Sequence, residues 1–334
     1  MQRDETFLKM RDDLYQKHPV ITAKAVIPTP TVLRAYSLLR RAARRHRRSI
    51  AFWAHPMTGK SFCITALAAL LRNEFQGCAV VLYEAKHNGE VGQGTFLEDI
   101  LADIDFEPPV ERSIPGKRKQ LKHALYSLAA ASSRIVILVD EAQELHENEL
   151  RWLKTVINWC AQRLTFVTVV LFGQQELIAM RDDIVAFGRS DLDVRYTQEM
   201  YQFEMIRNVT ELRTVLDVYD DGSEFPEGSG ASYTEFLWPR AFANGLRLHG
   251  HANTLWAAFT ALAPNGSIAE GVSMQWIAAA IAEIADLTKD QDSSSFVPSD
   301  DAWREAIKAC GYADWAPTLA KIRTGSRRTK TSAA

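Results

Sequence analysis

Continuous apolar runs, separated by amphipathic stretches, dominate the chain up to about residue 204. Runs of this kind are typical of strands that are buried on both faces of a parallel sheet. The runs that predict strands lie at residues 50–53, 79–85, 134–139 and 166–172, and a short fifth strand is predicted within 196–204. The amphipathic stretches between them predict helices, as at Glu147–Arg163. The predicted fold class is therefore α/β, with a parallel five-stranded sheet flanked by helices.

A different pattern begins near Met205, after which helical spacing replaces the apolar runs. The predicted helices are Met205–Tyr219, Tyr233–Leu248, Asn253–Leu262 and Ser273–Leu287, which indicate a small helical lid domain over residues 205–288. The α/β domain is predicted to cover residues 25–204, after an N-terminal arm of residues 1–24. A linker rich in Asp and Ser, a short helix and a basic tail are predicted over residues 289–334.

The stretch between the first predicted strand and the next helix has the sequence expected of a phosphate-binding loop. It reads Ala54-His55-Pro56-Met57-Thr58-Gly59-Lys60-Ser61, and Phe62 follows in the helix. In this context the backbone N–H groups of the loop and of the helix N-terminus face an anion. Lys60 is expected to reach the β- and γ-phosphates of a nucleotide, and Ser61 to bind Mg²⁺. The usual first glycine of the loop is Ala54 here, so that position must accept a Cβ atom.

Two carboxylates, Asp140 and Glu141, follow the apolar run at 134–139. Ligands bind outside the carboxyl ends of the strands in open α/β sheets. Asp140 is therefore a candidate for the Mg²⁺ shell, and Glu141 for the group that orients and polarises the attacking water. An acidic helix start is the structural alternative, since Asp and Glu favour helix N-termini. The phosphate-binding loop upstream favours the catalytic interpretation, because two parts of one mechanism then agree.

Composition and charge exclude several classes of protein. The chain has 334 residues, of which 47% are hydrophobic and 24% charged, as expected of a soluble globular protein with two or three domains. The cysteines, Cys63, Cys78, Cys160 and Cys310, have neither metal-ligand nor disulfide spacing, so a reduced, cytoplasmic setting is predicted. We expect no membrane partner, because there is no signal peptide and no apolar run approaches the length of a span.

Basic residues are concentrated in two segments, although the net charge is −2. Residues 40–48 hold six arginines, and the tail from Lys321 onward carries cations without an acidic residue. Local clusters of this kind, rather than net charge, are what phosphates or acidic partners experience.

Taken together, these motifs resemble those of the AAA+ ATPases, and more narrowly those of the transposition regulators of the TnsC/TniB type. The similarity covers about residues 25–285. It is carried by the proline-containing lead-in at 27–30 and by the segments Thr58–Ser61, Val139–Gln143, Phe172–Leu177 and Leu248–Asn253. The nucleotide motifs are specific for the superfamily. The lead-in and the segment 172–177 are less specific, because related DNA-loading and secretion ATPases share them.

The resemblance implies two further catalytic residues. The first is a polar residue at the tip of the fourth strand that hydrogen-bonds the γ-phosphate or the lytic water. Gln174 is the first candidate and Gln175 the second, and an ordinary amide turn is the alternative. The second residue is an arginine finger that reaches the γ-phosphate of a neighbouring subunit. Arg195 fits the family spacing best and Arg189 is the second candidate. A surface arginine paired with a nearby aspartate is the alternative here.

Partners and cofactors also follow from the resemblance. It implies ATP, Mg²⁺, and a ring or helical filament, with a heptamer among the expected forms, that encloses double-stranded DNA. It further implies a transposase and a target-selector protein of the TniQ/TnsD type. The residues implied to contact DNA phosphates, without reading sequence, are Lys86 with His87, and Lys117, Arg118 and Lys119. A solvated helix start is the alternative for the last three.

The expected function is therefore an ATPase that oligomerises on target DNA and links a target selector to a transposase. Two other classes stay open: a helicase-loader or remodelling ATPase that grips protein or single strands, and a nucleotide-dependent defence or signalling switch without DNA binding. No nuclease constellation separate from the ATP site is visible in the sequence, which favours a regulator over a transposase.

Overall fold

The computed structural model describes residues 11–45, 49–86, 92–264, 268 and 271–318. The chain divides into two compact units, Val32–Phe203 and a second unit that joins the residues up to Thr31 with those from Glu204 onward. The predicted start of the lid at residue 205 lies close to this boundary. The described part of the predicted N-terminal arm, from residue 11 to 24, belongs to the helical unit.

The unit Val32–Phe203 is built on a five-stranded sheet in the order β2-β3-β4-β1-β5, with parallel pairing between neighbours. The strands are β1 (Ser49–Trp53), β2 (Ala79–Glu84), β3 (Arg134–Asp140), β4 (Phe166–Gly173) and β5 (Met200–Gln202). This confirms the predicted fold class. Because β4 lies between β1 and β3, the loop after β1 and the carboxyl ends of β3 and β4 meet at one edge of the sheet.

Helices pack on both faces of this sheet. They are α1 (Pro30–Arg44), α2 (Lys60–Glu74), α3 (Gln93–Asp103), α4 (Ile114–Leu128), α5 (Glu147–Ala161) and α6 (Glu176–Ala186). Successive residues of a strand point to opposite faces. Ile137 of β3 accordingly packs in the same cluster as Leu121 of α4, whereas Leu138 packs in the same cluster as Leu67 of α2. Burial on both faces explains why β3 reads as a continuous apolar run.

Helix α4 begins three residues before the predicted start at Lys117. Ser113 caps it by accepting a hydrogen bond from Gly116 N–H at 3.2 Å, and Pro115 lies in the first turn. A serine cap followed by a proline is a strong start signal. Lys117 and its neighbours are therefore inside the helix, which fixes their directions relative to α3.

The second unit is helical. Its helices are α7 (Val209–Asp220), α8 (Tyr233–Leu237), α9 (Pro239–Ala243), α10 (Ala252–Leu262), α11 (Met274–Thr288) and α12 (Asp300–Ala309). The prediction of one helix over Tyr233–Leu248 was wrong. Trp238 leaves the helical conformation before Pro239, which restarts the chain as α9, because proline lacks the N–H that a continuous helix needs. Asp292, in the predicted linker, caps α9 by accepting hydrogen bonds from Arg240 N–H and Ala241 N–H at 3.0 Å.

The N-terminal segment is an integral part of this helical unit. Arg11 donates hydrogen bonds to the carbonyl oxygens of Phe236 and Leu237, at 3.2 and 2.8 Å. Tyr15 and His18 are fully buried. The His18 ring lies 4.8–5.0 Å from the rings of three residues of this unit, Phe225, Tyr233 and Phe236. An apolar enclosure of this kind lowers the pKa of the imidazole, because burial disfavours its charged form.

Several predicted features lie outside the described residues: His87, the last three residues of the arginine-rich segment 40–48, and the basic tail from Lys321 onward. Within the described part of 40–48, Arg40 and Arg44 bind Glu74 of α2. A hydrogen bond from Tyr36 and the neighbouring arginines lower the pKa of Glu74 to about 2. Among the helices that the structure describes, none combines the length and apolarity that crossing a bilayer requires.

Candidate active site

The loop Ala54–Ser61 connects β1 to α2 at the carboxyl edge of the sheet. Ala54 N–H donates a hydrogen bond to Gly173 O at 3.0 Å, which ties the loop to the end of β4. Ala54 is buried and does not have a positive φ, so alanine fits where glycine is usual. Gly59 has a φ of 89°, a conformation that favours glycine. It precedes α2, whose N-terminus has no side-chain cap, so its N–H groups can bind an anion.

Lys60 is buried, with 7% of its side chain exposed, at the first position of α2. Its Nζ lies 3.9 Å from Oε1 of Glu141, beyond hydrogen-bonding distance. In the described part of the chain, that contact is the nearest to an acid for this ammonium. A buried charge is costly unless it is paired and hydrogen-bonded. Nucleotide phosphates would supply those hydrogen bonds, so the environment of Lys60 fits the predicted ligand.

Ser61 and Asp140 meet directly. Ser61 Oγ donates a hydrogen bond to Asp140 Oδ2 at 2.6 Å, and Asp140 Oδ1 accepts one from Glu141 N–H at 2.9 Å. Hydroxyl and carboxylate oxygens are the hard ligands that Mg²⁺ prefers, and the ion usually takes one or two from protein and the rest from phosphate and water. The two residues predicted to hold the metal thus form a donor set that fits it.

Glu141 lies at the centre of an amide network. Its Oε2 accepts hydrogen bonds from Gln143 Nε2 at 2.5 Å and from Gln174 Nε2 at 3.2 Å. The other end of the Gln143 amide, Oε1, accepts the main-chain N–H of Gln174 at 2.9 Å. Gln174 therefore occupies the position predicted for it at the tip of β4. Gln175 instead lies at the start of α6, and its side chain does not cap that helix.

The network keeps Glu141 ionised. Burial acts to raise the pKa of the Glu141 carboxyl, but hydrogen bonds from Gln143 and Gln174 and the charge of Lys60 outweigh it, and the net pKa lies below the usual value. An ionised carboxylate is the form that accepts a proton or orients water. Glu141 also has a φ of 48°, a backbone conformation that costs energy in a non-glycine residue.

Gln143 is the residue of this site that was not among the predicted catalytic residues. It was visible as part of the segment Val139–Gln143, but an amide in a strand-end turn carries no chemistry of its own. The available signal was its spacing, two residues after the water-positioning candidate, in the turn that follows β3.

Residues 43–180, which include the loop, Asp140, Glu141 and Gln174, match the family model described as AAA domain. The match covers less than half of the chain. The sequence has no match among curated proteins.

Solved structures share the architecture over most of the chain. The Aeropyrum pernix ORC2 protein in its ADPNP–ADP complexes has a TM-score of 0.55 at 13% identity, over 88% of this chain and 71% of that one. Its ADP form has a TM-score of 0.57 at 14% identity, over 87% and 72%. Cdc6p from Pyrobaculum aerophilum has a TM-score of 0.56 at 11% identity, over 86% and 70%. At such identities the similarity shows the fold alone, which is the AAA+ P-loop fold.

The two arginine-finger candidates have opposite environments. Arg195 lies in a π-helical turn, Asp193–Thr197, with 6% exposure, and donates a hydrogen bond to Asn158 Oδ1 at 2.7 Å. Arg189 is 46% exposed, and its Nε lies 3.2 Å from Glu147 Oε1. A finger must project from its own subunit to reach a neighbour. The burial of Arg195 makes Arg189 the better placed of the two candidates, and the choice between them stays a prediction.

Most residues predicted to contact DNA are bound to α3. Lys117 is 12% exposed and its Nζ lies 2.6 Å from Glu98 Oε1. Arg118 donates a hydrogen bond to Gln93 Oε1 at 2.8 Å, and Lys86 Nζ lies 2.9 Å from Asp99 Oδ1. Lys119 is exposed and has no ion pair within the part that the structure describes. Lys117 and Arg118 are thus engaged within this unit, and their predicted contact with DNA stays a prediction.

A different basic surface follows one side of α4. Lys119, Lys122, His123 and Tyr126 have the spacing of one helical face, and α4 contains no acidic residue. Trp159 of α5 lies beside this face, with Lys122 Nζ 5.8 Å and Arg163 Cζ 3.8 Å from its ring centroid. The ring thus brings two cations together. We call Lys119, Lys122, His123, Tyr126, Trp159 and Arg163 the α4–α5 surface.

In the helical unit, the segment 248–253 has a structural partner. Asp220 is fully buried and accepts hydrogen bonds from Leu248 N–H, His249 N–H and His249 Nδ1, at 2.8–2.9 Å. Arg247 donates hydrogen bonds to the carbonyl oxygens of Phe242 and Leu246, at 3.0 and 2.7 Å.

Proposed function

We propose that this chain is an ATPase that binds duplex DNA without regard to sequence, oligomerises on target DNA and links a target selector to a transposase. The observation that carries the ATPase part is the convergence of Lys60, Ser61, Asp140, Glu141 and Gln174 at one edge of the sheet. The transposition part is supported by the motifs that resemble the TnsC/TniB type. The ADPNP and ADP named for the ORC2 structures are consistent with ATP as the nucleotide.

Each residue has one task in the proposed reaction. Lys60 and the uncapped N-terminus of α2 hold the β- and γ-phosphates. Ser61 and Asp140 hold Mg²⁺, which neutralises charge on the phosphates when bound. Glu141 orients and polarises the attacking water. Gln174 donates from its amide to the γ-phosphate or to that water. Catalysis of this kind consists of positioning and electrostatic stabilisation.

Assembly would complete the site. Arg189 is exposed, and the side chains near it in sequence are exposed and apolar: Val185 at 54%, Phe187 at 73% and Val194 at 57%. Exposed apolar clusters rimmed by polar residues mark interaction sites. We therefore propose that this region contacts the next copy of the chain in a ring or filament, and that Arg189 is the finger.

DNA binding is assigned to the α4–α5 surface together with Lys86. Phosphate contacts by Lys and Arg are independent of sequence and release counterions, so binding must weaken with salt. The face of α4 from Lys119 to Tyr126 spans roughly 10 Å at the helical rise of 1.5 Å per residue. Duplex DNA carries about six charges over that length, which is ample for Lys119, Lys122 and Arg163.

The helicase-loader or remodelling ATPase is the alternative, and the fold shared with ORC2 and Cdc6p proteins is compatible with either. A switch without DNA binding would leave the basic α4–α5 surface without a ligand. A measurement of DNA binding with and without nucleotide separates these functions directly.

The test uses the Glu141→Gln variant, which should hold ATP without turning it over. With ATP it should bind fluorescent duplexes of unrelated sequence equally in an anisotropy titration, and should form multimers on them. Lys119→Ala with Lys122→Ala should reduce the slope of log affinity against log salt by about two units. Arg304→Ala with Lys308→Ala, a matched loss of two exposed charges on α12, should leave the slope unchanged. Absence of ATP-dependent duplex binding at every salt concentration would overturn the DNA part of the proposal.

A further inference from the structure

Gln143 connects two strands of the candidate active site through both ends of one amide. Its Nε2 donates to Glu141 Oε2, after β3, and its Oε1 accepts from the main-chain N–H of Gln174, after β4. Gln174 closes the ring by donating from its own side chain to the same Glu141 oxygen. The three residues therefore form a cyclic network, in which a movement of any one changes the hydrogen bonds of the other two.

The backbone beside Gln143 is shaped for this side chain. A Cβ atom added at Gly173 would lie 2.9 Å from Gln143 Oε1 and 3.1 Å from Leu177 Cβ. Contacts below 3.0 Å do not occur for real Cβ atoms, so any larger residue at 173 must displace the Gln143 amide. Gly173 has no positive φ that would require glycine. The space that it leaves is thus occupied by the amide of Gln143.

We propose that Gln143 is a positioning residue for hydrolysis: it fixes Glu141 by one carboxylate oxygen, and fixes the backbone of Gln174 at the same time. The inference rests on the proposed ATPase function. It assigns Gln143 no contact with substrate, because its two ends are engaged by Glu141 and by Gln174.

The two oxygens of the Glu141 carboxylate have different partners, which explains how Gln143 can position this group. Both amide hydrogen bonds go to Oε2, whereas Oε1 is 3.9 Å from Lys60 Nζ and lies on the side of the phosphate-binding loop. Oε1 is therefore the oxygen left to orient water. Without Gln143, the carboxylate can rotate and Gln174 loses the acceptor of its N–H. Misplacement of a catalytic group by about 1 Å can cost about 100-fold in rate.

The test compares Gln143→Ala, Gln143→Glu and the matched control Gln162→Ala, which removes an exposed amide at the end of α5. Gln143→Ala should lower kcat roughly 10- to 100-fold while KM for ATP changes by less than about twofold. Gln143→Glu can still accept from Gln174 N–H but cannot donate to Glu141, so it should lose kcat to a similar degree.

Gly173→Ala provides a second, independent perturbation. Its Cβ should displace Gln143 and lower kcat in the wild-type background, but have a much smaller effect in the Gln143→Ala background, where that amide is gone. Fully additive effects on kcat would contradict the inference. So would a kcat within about twofold of the wild type for Gln143→Glu, measured on protein whose unfolding temperature matches that of Gln162→Ala.

The outcomes also separate this inference from the proposed function. A wild-type chain that does not hydrolyse ATP under any condition overturns both. A wild-type chain that hydrolyses ATP, loses activity in Glu141→Gln and keeps it in the Gln143 variants overturns the positioning role alone.

Discussion

The buried imidazole of His18 gives a prediction that can be worked out in magnitude. The ring is fully buried, stacked on Phe236 and edge-on to Phe225 and Tyr233, and its Nδ1 accepts a hydrogen bond from Val20 N–H at 3.2 Å. Burial lowers the pKa of His18 to about 3. In the unfolded chain the pKa is about 6.5. Between these values the unfolded state binds a proton that the folded state does not.

Proton linkage determines the sign and the size of the effect of pH on stability. Because the unfolded state binds more protons in this window, stability rises with pH, is complete above about 6.5 and falls as pH drops toward 3. A pH of about 5 is about 1.5 pH units below the pKa of the unfolded state. The free energy of unfolding falls by roughly 1.4 kcal/mol per unit, or about 2 kcal/mol in total. The loss falls on the helical unit, since the partners of His18 lie there.

The assay is urea unfolding followed by tryptophan fluorescence, with Trp238 and Trp303 buried in the same unit as probes. The wild type should be about 2 kcal/mol less stable at about pH 5 than at about pH 7.5. His18→Phe keeps an aromatic ring among the same neighbours and removes the titration, so its stability should change much less across this range. Equal pH dependence in the two proteins would refute the assignment to His18.

Three further predictions follow from the structure. Arg189→Ala should bind ATP normally and hydrolyse it poorly, and should regain activity when it is mixed with Lys60→Ala subunits. Arg195→Ala should instead lower the unfolding temperature and show no such complementation. Phosphate release by the mixtures distinguishes the two candidates. Asp220→Ala should destabilise the helical unit by about 3–5 kcal/mol in urea unfolding, because buried N–H groups lose a charged acceptor. Asp220→Asn, which keeps one carbonyl oxygen, should cost clearly less. Glu74→Gln should reduce the stability lost on acidification below about pH 4.5, since a carboxyl with a lowered pKa stabilises the fold only while it is ionised.

The sheet and the phosphate-binding loop were predictable because they depend on short-range pattern. The middle of strand β3, from Ile135 to Val139, is buried on both faces, so these positions are apolar, and the carboxylate of Asp140 follows at the carboxyl end. The loop before α2 is equally local, because the left-handed turn at Gly59 and the anion-binding helix start are adjacent in sequence. These features require no knowledge of distant contacts.

Other features depend on tertiary contacts that a sequence pattern does not specify. Arginine is usually exposed, so nothing local indicates that Arg195 is buried against Asn158 or that Lys117 is held by Glu98. Pro239 by itself indicates a break in the helix, but the helical spacing on both sides of it favoured the prediction of one continuous helix. The role of Gln143 depends on the adjacency of β3 and β4, because its two hydrogen-bonding partners follow different strands.

The central claim is that the residues gathered after β1, β3 and β4 hydrolyse ATP. The direct measurement is phosphate release by the wild type, Glu141→Gln and Lys60→Ala at saturating ATP and Mg²⁺, with nucleotide binding followed in parallel. The account predicts turnover by the wild type, retained ATP binding with a rate at least about 100-fold lower for Glu141→Gln, and weakened binding for Lys60→Ala. Wild-type turnover that Glu141→Gln leaves unchanged would contradict it.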